Sequence, residues 1–199
     1  MKLAIIDTGC ANLTSVRLAF ERLAIKPVIS DDVALLSTAD KLILPGVGAA
    51  SAGMKALDDK HLSSFIQQTN KPLLGICLGM QLLSQQSTES AQNQVIDCLK
   101  VVPGNTQLLE TGDLHLPHMG WNQIEHNGSH ALLKGIKPAD YFYFVHSYVL
   151  SISTATVATC TYGQAFSAIV EKNNFFGVQF HPERSGATGA KLLRNFLAL

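Results

Sequence analysis

The apolar run 3–6 ends abruptly at Asp7, Thr8 and Gly9, as a short buried strand ends in a turn. Over 12–23, apolar residues recur at Leu13, Val16, Ala19, Phe20 and Leu23, the stripe of an amphipathic helix. Val28 and Ile29 after Pro27 predict a second strand, and 41–44 a third, cut off by Pro45 and Gly46. Helical spacing over 61–68 leads into a strand at 72–76, and helical spacing resumes at 79–85. Strands alternating with helices predict an α/β fold: a mostly parallel, twisted sheet with helices on both faces. In the second half the period changes. Segments 141–145, 156–161 and 167–170 are rich in β-branched and aromatic residues and predict added β-strands. Residues 172–174 read as a turn between 168–170 and a strand over 175–180, and 191–197 as a closing helix. The stretch 92–105 has weak periodicity and is expected to be irregular surface. No repeat, linker or low-complexity tract interrupts the pattern, so 1–199 is expected to be one domain.

Composition narrows the class. The 199 residues are 47% hydrophobic and 15% charged, enough apolar material for a large core and too little charge for a disordered chain. Fifteen basic residues balance fifteen acidic ones, without the basic excess with which a nucleic-acid binder neutralises phosphates. No apolar run approaches the roughly 20 residues needed to cross a bilayer. The amino-terminal run is too short for a signal-peptide core. The four cysteines, Cys10, Cys77, Cys98 and Cys160, form no CxxC pair, so reduced thiols in a cytoplasm are expected.

The candidate chemistry centres on Gly75-Ile76-Cys77-Leu78-Gly79-Met80-Gln81. A strand ends at Ile76 and a helix begins just after Cys77, with glycines two residues to either side. That pattern allows the sharp turn of a nucleophile elbow. A helix amino terminus favours a thiolate and can stabilise an oxyanion. A lone cysteine is more often buried core than nucleophile, so the elbow needs a partner. Gly177-Val178-Gln179-Phe180-His181-Pro182-Glu183 supplies one: an apolar strand feeding a base, with an acid two residues on. His181 can take the thiol proton, and Glu183 can fix the imidazole tautomer and stabilise its cation. In a doubly wound sheet the carboxyl ends of strands share one edge, where Cys77 and His181 can converge.

GICLGMQ together with VQFHPE resembles the class I, triad-type glutamine amidotransferases. Further segments narrow the likeness: IIDTGCANLTSV near the start, LPGVGA at 44–49, PHMGWN at 117–122, YFVHSY at 143–148 and VQFHPERSG at 178–186. Together they resemble the glutaminase subunits of imidazole glycerol phosphate synthases, of histidine biosynthesis. The resemblance implies a flavodoxin-like fold and a Cys77–His181–Glu183 triad. It implies an oxyanion hole built from the Leu78 N–H and from the loop containing Gly46, Val47 and Gly48. In the family a peptide of this loop is thought to rotate once the partner is ready, and glycine tolerates the φ values this needs. Replacing Gly46 by Val is then expected to cut ammonia production far more than stability.

The resemblance also implies that Gln81, Glu89, His146, Ser147 and Tyr148 hold the substrate, L-glutamine. Gln81 lies one helical turn beyond Cys77, and Glu89 can pair with the α-ammonium. The sequence after Glu89, SAQNQVID, lacks the glycine-rich stretch often found there. Read alone, Glu89 is equally a surface charge and His146 a satisfied strand-end histidine. The implied partner is a (βα)₈-barrel synthase subunit that receives ammonia through a sequestered channel in a heterodimer. Asn12, Met119, Trp121, Tyr143 and Arg184 match the docking positions. Trp121 on composition alone is also a candidate for the core. Arg184 stands where many family members carry Lys, and its planar fork demands more of its geometry. No cofactor is implied. The pairs His115/His118 and His126/His130 lie in loop-like sequence without cysteine ligands, and no metal site is expected. Competing readings are a glutaminase serving anthranilate, GMP or pyridoxal phosphate synthesis, a silent binding module, and a γ-glutamyl peptide hydrolase. The PHMGWN segment and the intact triad weigh against them.

Overall fold

The computed structural model describes residues 1–9, 11–90, 94–138 and 140–199. Cys10 and part of the 92–105 stretch fall outside them. In chain order the elements are β1 (Leu3–Ile6), α1 (Leu13–Glu21), β2 (Val28–Ser30), α2 (Val33–Leu36), β3 (Lys41–Gly46), α3 (Ala50–Asp59) and α4 (Leu62–Gln68). There follow β4 (Leu73–Cys77), α5 (Leu78–Leu82), β5 (Gln86–Ser87), β6 (Ile96–Asp97), β7 (Asn105–Leu108) and β8 (His118–Gln123). The chain continues with β9 (Tyr141–His146), β10 (Tyr148–Leu150), β11 (Thr156–Tyr162), β12 (Gln164–Lys172), β13 (Phe175–Val178) and α6 (Gly186–Ala198).

The main sheet runs β11-β12-β13-β4-β3-β1-β2. From β2 to β13 every pairing is parallel, and β12 and β11 add an antiparallel edge. All four residues of β1 are buried, which requires cover on both faces. Leu3 and Ile5 pack with Val16 and Phe20 of α1 and Leu192 and Phe196 of α6. Ala4 and Ile6 point the other way, into a core with Leu57, Ile66 and Met80. The class I amidotransferase fold expected of the chain is the one observed.

Three local expectations are corrected. Pro45 and Gly46 do not end β3; they continue it, opposite Ile76 and Cys77 of β4. The proline is accommodated because the pairing of β3 with β1 ends at Ile43, so Pro45 lies where β3 is an edge on that side. The stretch 92–105 is not all irregular surface: it contains β6 and buries Cys98, Leu99 and Val102. Helix α3 escapes the periodicity because its buried stripe is Ala50, Gly53 and Leu57, two of them too small to register as apolar. Small residues there let α3 approach α5: a Cβ on Gly53 would stand 3.1 Å from a Leu82 methyl.

Two smaller sheets flank the carboxyl edge. One is β10-β7-β5-β6, and the other pairs β8 with β9 antiparallel, setting His118 opposite His146 and Trp121 opposite Tyr143. Along β8, Met119, Trp121 and Gln123 are exposed while His118 is buried, the alternation that strand geometry imposes.

Candidate active site

β4 and β13 are adjacent parallel strands, so the segments that follow them open on the same edge. Cys77 closes β4 and precedes α5 with φ +53° and ψ −111°. A non-glycine residue at positive φ is strained, and here it turns the thiol out of the sheet at the start of a helix. The cysteine itself takes the strained positive φ, as an elbow requires, and the flanking glycines make room for the turn. Gly79 is bare because a Cβ there would collide with the Leu44 carbonyl. Their absent side chains press α5 onto the sheet, and that packing holds the elbow.

His181 and Glu183 follow β13. His181 Nδ1 lies 2.8 Å from Glu183 Oε1, and both side chains are more than nine-tenths buried. Among the described residues the other carboxylate oxygen of Glu183 has no hydrogen-bond partner, so its charge is spent on the imidazole. Burial works against the imidazolium, but bonds and charge from Cys77 and Glu183 outweigh it and push the His181 pKa up to about 10. The site therefore favours a protonated base beside the sulfur.

A cavity of about 300 Å³ joins these groups. Cys77, Leu78, Gln81, His181 and Glu183 line one side of it, and Val47, Gly48 and Glu89 another. His146 and Tyr148 close it, and Asn12 and Arg184 stand at its wall as well. Ser147 and Gly46 are not among the lining residues. The Ser147 carbonyl is instead taken by the Leu109 N–H at 2.9 Å. Gly46 sits in β3 beneath the elbow, where a Cβ would lie 2.9 Å from Leu78 Cβ and from the Gly79 nitrogen. Its bareness thus serves packing, whereas Gly48 carries the positive φ of the loop, +94°. Replacing Gly46 by Val is accordingly expected to cost stability as well as activity, a revision of the sequence-based expectation.

Glu89 reaches the cavity from beyond β5. Its carboxylate accepts the Ala50 N–H at 3.0 Å, at the start of α3. Burial raises its pKa, only partly offset by that bond, so a cation brought beside it would be welcome. Gln81 is buried and donates to the Tyr148 carbonyl at 2.8 Å and to Gln179 Oε1 at 3.0 Å.

Met119 and Trp121 project into solvent, 66% and 55% exposed, so Trp121 is not core. Trp121 meets the Tyr143 ring edge-on at 6.0 Å, and the Arg184 guanidinium lies over the same ring at 5.1 Å. These four side chains form a continuous strip that reaches the cavity at Arg184. Asn12 caps α1 by accepting the Ser15 N–H at 3.1 Å. Of the other histidines, His118 lies 3.0 Å from His146 and His130 lies 2.6 Å from Glu171, whereas both ring nitrogens of His126 are buried without a hydrogen-bond partner among the described residues. Among the described residues no group of three or more His, Cys, Asp or Glu is arranged to hold a metal.

One polar residue of the site was not singled out from the sequence, and another was weighed there only as a metal ligand. Gln179 is fully buried with its Nε2 3.7 Å from Cys77 Sγ, and His118 backs His146. Gln179 had a signal: it interrupts an apolar run two residues before His181, hence on the same face of the extended chain.

A strained cysteine after a parallel strand faces a buried His–Glu pair from the neighbouring strand, an arrangement suited to a nucleophile, a base and an orienting acid. The chain belongs to the glutamine amidotransferase class-I family, which it matches over residues 5–199. Within it, the chain is 52% identical to imidazole glycerol phosphate synthase subunit HisH 1 of Vibrio vulnificus, over 100% of this chain and 98% of that protein. It is also 52% identical to the HisH subunit of Vibrio cholerae, over 98% and 97%. Among solved structures, a putative GMP synthase protein from Thermoplasma acidophilum superposes with a TM-score of 0.75 at 19% identity, over 100% of this chain and 92% of that one. PurLQS from Thermotoga maritima gives 0.72 at 18% identity, over 99% and 97%. These two likenesses concern the fold alone.

Proposed function

We propose that this chain is the glutaminase half of an imidazole glycerol phosphate synthase, hydrolysing L-glutamine and passing ammonia to a (βα)₈-barrel subunit. The observation that carries the reading is the convergence of Cys77, His181 and Glu183 on one cavity, with the His181–Glu183 pair withdrawn from solvent. Near-full-length identity to HisH subunits supports the choice of synthase.

The Cys77 thiolate attacks the side-chain carboxamide carbon. Leu78 N–H and, after the 45–48 loop turns, Val47 N–H receive the oxyanion. The His181 imidazolium gives its proton to the departing nitrogen; the C–N bond breaks, ammonia leaves and a γ-glutamyl thioester remains. Neutral His181 then takes a proton from water, whose oxygen attacks the thioester. The C–S bond breaks, glutamate is released and the thiolate returns. Glu183 holds the imidazole throughout. Glu89 selects the α-ammonium, the feature that separates glutamine from a plain amide. The exposed strip of Met119, Trp121, Tyr143 and Arg184 is the docking face, with the aromatic and Met content that interface cores favour. The partner uses the ammonia to convert a phosphoribosyl-formimino carboxamide nucleotide into imidazole glycerol phosphate and aminoimidazole carboxamide ribotide.

The test is a glutaminase assay of the chain alone, with the barrel subunit, and with the barrel subunit plus its nucleotide ligand. Strong stimulation by the loaded partner is expected. No stimulation would overturn the synthase assignment, and full activity of the isolated chain would point to a γ-glutamyl hydrolase instead.

A further inference from the structure

The sulfur of Cys77 sits between two groups that favour opposite states. The Val145 carbonyl, 3.9 Å away, accepts from a thiol. Gln179 Nε2, 3.7 Å away, donates to the sulfur and favours a thiolate, because a charged acceptor forms the stronger bond. Gln179 is not among the residues lining the cavity, so it does not compete with substrate for that space.

Which end of the Gln179 amide faces the sulfur is decided by its neighbours. A backbone carbonyl can only accept, so both groups on the Tyr148 oxygen, Gln81 Nε2 at 2.8 Å and His146 Nδ1 at 3.1 Å, are donors. Gln81 Nε2 then gives its other hydrogen to Gln179 Oε1 at 3.0 Å. A flipped Gln179 would set N–H against N–H there, so its Nε2 is held toward Cys77. The imidazoles join at the same carbonyl, to which His146 donates. Burial, reinforced by His118, keeps His146 neutral, and burial alone keeps His118 neutral. With Nδ1 of His146 protonated, its Nε2 accepts from His118 Nδ1 at 3.0 Å, and His118 Nε2 accepts from Asn122 Nδ2 at 3.3 Å. Asn122 is likewise fixed, donating to the Thr161 carbonyl at 3.1 Å while its oxygen accepts the Gln123 N–H at 2.8 Å.

We propose that Gln179 is a further catalytic residue, whose amide N–H holds and aims the Cys77 thiolate, and whose orientation is imposed by Gln81, itself fixed by the Tyr148 carbonyl. The proposal rests on Cys77 being the nucleophile but not on the identity of the substrate. The titratable and charged groups facing the sulfur's cavity are His181, Glu183, Glu89, His146, Tyr148 and Arg184, and the variants below alter none of them.

The experiment is the pH dependence of Cys77 alkylation by iodoacetamide in the full chain, read by mass spectrometry of the Cys77 peptide. Gln179→Met keeps the volume and removes the donor. Gln179→Glu keeps an acceptor for Gln81 and sets an acid against the sulfur, and it decides the matter should the Met variant fail to fold. Thermal unfolding checks each fold. The expected result is a profile displaced upward by about one pH unit in the Met variant, and further in the Glu variant. A profile that stays in place in a folded variant overturns the role of Gln179. A Cys77 no more reactive than the buried Cys98 and Cys160 in the unaltered chain overturns the nucleophile reading as well.

Discussion

Two neighbouring strand ends meet the cavity, and they are built in opposite ways. The end of β4 is locked: Cys77 takes its strained angle under α5, and Gly79 is packed so closely that no side chain fits. The end of β3 begins in the same register, with Gly46 opposite Cys77, but one residue on it is open. Val47 is 46% exposed, and a Cβ on Gly48 would meet nothing within 4 Å. On the proposed mechanism the nucleophile is thus pre-positioned by packing, while the second oxyanion donor lies on backbone with room to turn. Such a division would leave the chemistry assembled in all but one contact, the one assigned above to the partner.

The largest effect should come from the locked end. Gly79→Ala drives a methyl into the Leu44 carbonyl, and a loss beyond about 4 kcal/mol in chemical unfolding is expected. A near-normal unfolding free energy would mean the elbow is softer than its packing implies. Gly48→Ala tests the open end. Its only cost is the left-handed backbone angle, about 1–2 kcal/mol and a few degrees in the unfolding midpoint. Partner-stimulated glutaminase should fall by at least about tenfold, because the loop loses the conformations that swing Val47 N–H inward. Equal proportional losses in both assays would erase the contrast between the two ends. A third test lies in pH. His118 and His146 have folded-state pKa values lowered by burial, to about 4 and about 3. The unfolded chain therefore binds more protons below about pH 6.5, and the stability these groups contribute, complete above that, is lost as pH falls toward 4. The unfolding midpoint should drop over that window, and less so in His118→Phe.

The parallel half of the fold was legible because strands buried on both faces show as unbroken apolar runs, as in 3–6 and 72–76, and because α1 has a full apolar stripe. Helix α3 was not, since alanine and glycine form its buried face. The short strands β5 and β6 were not either, at two residues each, too brief for any period to show. At the site, glycine spacing and an acid two residues from a histidine pointed to the elbow and its base. Both are local patterns. The role of Gln179 depends on Gln81 and Tyr148, distant in sequence, and became visible only when β4, β10 and β13 were brought together. Gly46 taught the reverse lesson: a glycine read as a hinge proved to be bare for want of space.

Strand β8 holds a consequence of its own. Its even-numbered residues His118 and Asn122 begin hydrogen bonds that run through His146 to the Tyr148 carbonyl, while the odd-numbered Met119 and Trp121 face outward. Losing or gaining a single residue within it would exchange the two sets, turning an imidazole to solvent and an indole to the interior. The proposed docking face and the buried histidine pair behind the cavity would then be lost in one event. The length of the strand is thus constrained from both of its faces at once.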